Sequence, residues 1–380
     1  MRKLLNSDVK IITLLFFLWK AILLASFFMA FHFVPLAGGN FLGGGLQNYL
    51  SNPLLFAWAN FDGEHYLSIA QIGYRGLEQA FFPVYPALMH FFAQPFGISI
   101  TFLTISGLLI SNVSFIAALF FFYKLLRLDY SKYLSFLTIS VLLMFPTSFY
   151  FSAVYSESLF LLLSVLSFYF ARKDKWFWAS IFGAISSATR IFGIILLPAL
   201  ILEAWQQKKS RKEIFWIILI PIGLAAYIFY QWITVGDPLA FYHLQKIVGP
   251  QHESGITLLT QVYFRYIKML LTVDFTNPIF HVIVLEFFVG ILFFLLPIYG
   301  YFKKVRISYL FFGFVGFLLP TVQGSFSSVP RYIMILFPSF LCLAIFVRGW
   351  PLFIRVIIML SSIIWLMFGV SLFLRGYWVA

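Results

Sequence analysis

Residues 11–33 run for 23 positions with one Lys and one His among apolar side chains, and residues 280–301 form a similar run. Each reaches the roughly 20 residues that a helix needs to cross the hydrocarbon of a bilayer. Inside hydrocarbon, every backbone amide must find its partner within its own segment or in a closed barrel. The runs lack the period-two alternation of barrel strands, so they predict helices. Composition agrees: 62% of the 380 residues are hydrophobic and 10% are charged, against about 25% charged in soluble domains. The expectation is an all-α chain, a polytopic transmembrane helical bundle. The first run follows Arg2 and Lys3 and is too long for a signal-peptide core, so it reads as a retained signal anchor. Cys342 is the sole cysteine, which leaves no intrachain disulfide and no cysteine metal site.

The net charge of +13 does not point to nucleic acid, because the basic residues sit in short clusters between apolar runs. Six segments carry them: the N-terminus, 124–132, 172–175, 208–212, 303–306 and 348–355, together 18 of the 26 basic residues. The positive-inside rule places all six in the cytoplasm. Segments on one side must be joined by an even number of crossings, and that parity gives about eleven spans in a single domain, 1–380. Two larger outer loops follow, 34–97 with short interfacial helices and 235–278. Lys20 falls inside the first span. Arg75, Arg190, Lys246, Arg265, Lys268, Arg331 and Arg375 fall on the outer side, as do Asp62, Glu64, Glu78, Glu157, Asp237, Glu253 and Asp274.

Three outer segments carry candidate chemistry. Tyr66, Ile69, Ala70 and Gly73 share one helical face, so a short helix starts near Asp62. There Asp62 is either a helix N-cap or a general base, with Glu64 or His65 beside it; spacing does not separate the two. Glu157 heads an apolar span, where Ser156 would N-cap the helix and the carboxylate would suit its first turn. A carboxylate there also fits a polar cavity. Arg190 divides two apolar stretches of fourteen residues, each about 21 Å long as a helix. Both are short of the ~30 Å hydrocarbon core, so this arginine is predicted at a recessed turn or inside one long helix. Arg190 and Arg331 either snorkel to the interface or bind a lipid phosphate. Pro83 and Pro86 disfavour an uninterrupted helix, so 81–95 is predicted to be re-entrant or interfacial.

In order, the segments Phe61-Asp62-Gly-Glu64-His65-Tyr-Leu-Ser-Ile-Ala-Gln-Ile-Gly73-Tyr74, Ala80-Phe-Phe-Pro-Val-Tyr85-Pro86, Phe145-Pro-Thr-Ser-Phe-Tyr150, Ser152-Ala-Val-Tyr155-Ser-Glu157-Ser-Leu-Phe160, Ala188-Thr-Arg190, Arg331-Tyr332 and Phe337-Pro338 resemble the PIG-V-like family. These are integral membrane mannosyltransferases typified by GPI mannosyltransferase 2. The series covers most of residues 58–338. One position departs: the family usually has Trp before the acidic residue, and here it is Phe61, which marks a divergent member.

The resemblance implies a GT-C glycosyltransferase working on the luminal or extracytoplasmic face. Its donor would be a polyprenyl-phosphate sugar, mannosyl in the first instance, and its acceptor a glycan or glycolipid. Asp62 would be the catalytic base of an inverting transfer. Glu64, His65, Tyr85, Tyr155 and Glu157 would position sugar and acceptor hydroxyls, and Arg190 and Arg331 would hold the donor phosphate. No cofactor is required, although the carboxylates are compatible with a divalent metal ion. The membrane would be the plasma membrane in a prokaryote and the endoplasmic reticulum in a eukaryote. The alternative from another class is a polyprenyl-lipid or sugar flippase. It too needs charges in a polar cavity, but transporters commonly carry paired repeats, and none is evident here.

Overall fold

The computed structural model describes residues 2–39, 41–244 and 257–379. Among them every regular element is helical and no strand occurs. Helix α1 (Arg2–Phe33) leads into four short helices, α2 (Gly45–Ser51), α3 (Pro53–Phe56), α4 (Asp62–Ile72) and α5 (Val84–Ala93). Next come α6 (Ile100–Leu126), α7 (Lys132–Leu143), α8 (Glu157–Ala171), α9 (Trp176–Ser187) and α10 (Leu196–Gln206). Helix α11 (Arg211–Val235) contains a 3₁₀ turn. Helices α12 (Ala240–His243) and α13 (Leu259–Thr272) precede and follow residues 245–256. Lys246 and Glu253, expected on the second outer loop, therefore lie outside the described residues. The chain ends with α14 (Pro278–Phe302), α15 (Ile307–Thr321), α16 (Val329–Tyr332), α17 (Phe337–Arg348) and α18 (Leu352–Leu374).

Five of the described helices are long and apolar enough to cross a membrane: Ser7–Phe33 of α1, then α6, α11, Ile279–Phe302 of α14, and α18. A sixth crossing is available if Val329–Ile335 and Phe337–Arg348, bent by 94°, act as one broken span. The chain is thus built as a multi-pass membrane protein. Lys20, in mid-span, is accommodated because its ammonium donates to Asn112 Oδ1 (3.1 Å) and Ser152 Oγ (2.5 Å). Close helix approach also has a local cause. A Cβ on Gly223 would stand 1.9 Å from the Ala184 carbonyl oxygen, so only glycine lets α11 lie against α9.

The six basic segments meet at one end of the bundle. Lys132 pairs with Asp8 at 2.5 Å, Arg172 with Asp129, and Lys209 with Asp174 at 2.7 Å. Arg355 donates to the Tyr133 hydroxyl at 2.7 Å. At the centre lies Glu203, fully buried on α10. It accepts from Arg306 through both oxygens (2.7 and 3.0 Å), from Ser308 Oγ (2.5 Å) and from Gln207 Nε2 (2.6 Å), and Arg172 Nε stands 3.3 Å away. The clusters that imply a common side in the sequence are therefore physically laced together. From Arg172, helix α8 rises 15 residues, about 22 Å, to Glu157. That is short of the ~30 Å hydrocarbon thickness.

A buried charge that loses its partner keeps its desolvation cost and loses its compensation. Glu203→Ala should therefore destabilise the detergent-solubilised protein by about 3 kcal/mol, with Glu203→Gln costing less. Thermal unfolding of the two variants checks the order.

Candidate functional site

Asp62 is the first residue of α4, one position after the point where the backbone turns sharply. Phe61 adopts φ 58°, ψ −115°, a region costly for an L-residue with a bulky side chain. Its neighbours hold it there. The Phe61 amide donates to Phe41 O at 2.9 Å, and its ring packs on Phe373 and Trp378. Asn60, fully buried, accepts from the Gly43 amide (2.8 Å) and donates to Phe373 O (2.8 Å) and Leu374 O (3.3 Å). Tyr155 OH donates to Asn60 O (2.9 Å) and accepts from the Asp62 amide (3.2 Å). The start of α4 is thus tied to α2's approach, to the end of α18 and to the loop before α8. Phe61, not Asp62, occupies the N-cap position, and no side chain caps the helix; the capping role considered for Asp62 is not the one it takes.

Asp62 turns instead to arginine. Arg331 Nη1 donates to Asp62 Oδ2 at 2.7 Å, and Arg331 Nε lies 3.6 Å from Glu157 Oε1. Arg190 Nη1 stands 2.8 Å from the same Glu157 oxygen and donates to Ser156 Oγ at 3.1 Å. Two carboxylates and two guanidiniums form one continuous, formally neutral cluster. Glu157 and Arg331 are buried, whereas the Asp62 side chain is 19% exposed and is the open member. The Arg190–Glu157 contact is close but not aligned as a hydrogen bond, and neither Glu157 oxygen has a hydrogen-bond partner. Aromatic faces complete the lining. Arg331 sits over Tyr332, Tyr150 and Tyr155 at 4.9–5.5 Å, and Arg190 over Tyr332 at 5.5 Å.

Local backbone explains why two arginines can sit so deep. Helix α9 ends at Ser187, and Arg190 is fully extended (φ −156°) before a 3₁₀ turn at Ile191–Ile195. The predicted break at Arg190 is therefore a turn rather than one long helix. Arg331 lies on the single turn of α16, whose Pro330 carbonyl accepts from Thr147 Oγ1 at 2.6 Å. Both side chains point into the bundle, not out to an interface. Ser156 stands at the N-cap of α8 without capping it. Its hydroxyl is shared with Tyr66 OH (2.9 Å) and Arg190.

Of the eight residues singled out in the sequence, Asp62, Tyr155, Glu157, Arg190 and Arg331 come together. Tyr85 stands behind them, fully buried, with its hydroxyl on Gly107 O (3.0 Å) and Ser111 Oγ (2.8 Å); Ser111 in turn donates to Tyr155 O. His65 stacks on Phe81 at 4.8 Å. Glu64 accepts from the Gly45 amide at 3.2 Å, away from the arginines. Asn60 escaped notice in the sequence, while Ser156 was read only as a helix cap and Tyr332 only as the neighbour of Arg331. The one signal for Asn60 is a carboxamide two positions before Asp62 in an otherwise apolar stretch. Among the described residues no group of three or more His, Cys, Asp or Glu side chains is placed to hold a metal ion.

The fold and this cluster define a multi-pass helical membrane protein with a buried carboxylate–arginine site. The family model for Mannosyltransferase (PIG-V) matches residues 7–210, more than half of the chain, and the chain belongs to that family. It is accordingly a membrane glycosyltransferase of mannosyltransferase type, a reading favoured over a flippase. The match includes Asp62, Glu157 and Arg190 and stops short of Arg331. No curated protein and no solved structure matches the chain.

Burial pushes the Glu64 carboxyl up to about 7, opposed by the Gly44 and Gly45 amides. Helix α4 is not among the membrane-capable helices, so this group titrates outside the spans. A raised carboxyl pKa means that the folded state binds the proton more tightly than the unfolded one. Stability should then fall as pH rises from the ordinary carboxyl range to about 7, with the full cost present above it. Glu64→Gln removes the titration. Unfolding scans from pH 5 to 8 should show the wild type losing stability relative to Glu64→Gln as pH rises.

Proposed function

We propose that this mannosyltransferase takes mannose from a polyprenyl-phosphate donor and transfers it, with inversion, to a lipid-linked or cell-envelope glycan. The reading rests above all on one observation: Arg331 bonds Asp62 while standing beside Glu157, so a proton acceptor and a phosphate-binding cation share one recessed, water-poor site. Short helices pack beside the five long ones, and together they suit a GT-C-like single domain of about eleven spans. Six basic segments at one end support a cytoplasmic position for that end by the positive-inside rule, with the cluster then reached from the extracytoplasmic or luminal side.

In the resting site Arg331 occupies only one oxygen of Asp62. An arriving donor phosphate offers both arginines a stronger partner, because a guanidinium fork suits phosphate geometry. As Arg331 turns toward the phosphate, the Asp62 carboxylate is released to accept the acceptor hydroxyl's proton. The acceptor oxygen attacks the anomeric carbon from the face opposite the phosphate. The new carbon–oxygen bond forms as the bond to phosphate oxygen breaks, its electron pair leaves with the lipid phosphate, and the proton ends on Asp62. Arg190 and Arg331 stabilise the charge that develops on the leaving group. Glu157 holds the two guanidiniums through Oε1 and offers its other oxygen, Oε2, to a sugar hydroxyl. Tyr155, itself held by Ser111 and Tyr85 behind it, fixes the start of α4 through its hydroxyl, while Glu64 and His65 shape the acceptor side. Two guanidiniums supply the positive charge, so the scheme requires no cofactor.

Positioned carboxylates contribute about 10²–10⁴-fold. Asp62→Asn, at matched protein levels in membranes given labelled polyprenyl-phosphate mannose, should lose activity by that factor; full activity would remove Asp62 as the base. Arg190→Gln should raise the donor KM about tenfold while leaving the acceptor KM within about twofold. The reverse ranking would count against its phosphate role.

A further inference from the structure

A second buried carboxylate lies outside the cluster. Glu286 stands within α14, 5% exposed, and no Lys or Arg among the described residues is within ion-pair distance of it. A carboxylate kept at membrane depth without a cation is costly and is by default a functional residue. Its oxygens are not idle. Glu286 Oε2 accepts from Tyr266 OH at 2.6 Å, and Glu286 Oε1 from the Ser328 amide at 3.3 Å.

Ser328 is the N-cap of α16, the single turn that carries Arg331, and it has a left-handed backbone (φ 62°). Its carbonyl accepts from the amides of Arg331 (3.0 Å) and Tyr332 (2.9 Å). The preceding turn is gripped from the same side. Ser325 Oγ lies 3.3 Å from Tyr266 OH and accepts from the Ser327 amide. The fully buried Phe326 ring sits on Tyr263 and Tyr266. Gly290, one turn along α14 from Glu286, leaves room for that ring: a Cβ there would meet it at 2.9 Å.

We infer that Glu286 is a positioning residue for Arg331. It fixes the strained N-cap Ser328, with Tyr266 as its partner, and so sets where the guanidinium meets Asp62 and the donor phosphate. The inference rests on the phosphate role given above to Arg331. What Glu286 supplies is bond geometry rather than charge. A glutamine in its place can still accept from the Ser328 amide and donate to the Tyr266 oxygen; a leucine can do neither.

The test is the affinity of purified, detergent-solubilised protein for polyprenyl-phosphate mannose. Glu286→Leu should weaken binding about tenfold, and Glu286→Gln should restore it to within about threefold of the wild type. In an Arg331→Ala background, Glu286→Leu should add no further loss, because the group it positions is gone. Unchanged binding by well-folded Glu286→Leu would overturn the inference, as would an equal loss in Glu286→Gln or an additive loss beside Arg331→Ala. Should Glu286→Leu fail to fold, Tyr266→Phe removes only the hydroxyl and should weaken binding about threefold; no change would overturn the inference. Arg331→Ala alone separates the two readings: if it binds donor normally, the phosphate role fails, and if it binds poorly, the Glu286 arms stand on their own.

Discussion

Charge balance at depth is the constraint on which the rest of this structure depends. A single ionised group taken from water into a low-dielectric interior carries a penalty that one good contact does not repay. Asp62, Glu157, Arg190 and Arg331 meet it together, two of each sign, with tyrosine faces over the guanidiniums. Each member comes from a different stretch of chain: the start of α4, the start of α8, the extended residue after α9, and the single turn of α16. The irregular backbone at these places is tolerated because it lines a polar site rather than lipid.

Neutrality of the cluster also bears on reactivity. A carboxylate bonded to arginine is a poor base until something competes for the arginine, and a phosphate is the competitor that the proposed polyprenyl-phosphate donor would bring. On this view recognition of the donor and activation of the acceptor are one event. Asp62 keeps its place throughout because Asn60, Phe61 and Tyr155 hold the backbone, not the carboxylate. The opposite end contributes depth. Glu203, Arg172 and Arg306 anchor α8 and α10 there, and α8 carries Glu157 at its other, buried end.

Much of this was legible in the sequence. Apolar runs identified the helices, basic clusters identified the segments that share an end, and four of the acidic and basic residues left over meet in the cluster. The motif series around Asp62, Tyr155, Glu157 and Arg190 pointed to the family that the match to residues 7–210 bears out. Less legible were the residues that act through backbone. Asn60 bonds to carbonyls more than 300 positions away, and Ser156 abandons its capping position's usual bond for Tyr66 and Arg190. Local pattern predicts a cap at both Asp62 and Ser156, and tertiary partners override it at each.

The sequence by itself determined that the chain is a helical membrane protein with its polar residues sorted by segment, because hydrocarbon thickness and backbone hydrogen bonding leave so few alternatives. Only the tertiary structure decided which of those polar residues meet. Asp62 and Arg331 are 269 positions apart, and no periodicity relates them. Their pairing follows from packing: Phe326 against Gly290, Thr147 on the Pro330 carbonyl, and Glu286 on Ser328 bring the turn of α16 over the start of α4. Once there, a buried guanidinium and a mostly buried carboxylate have no better partner than each other.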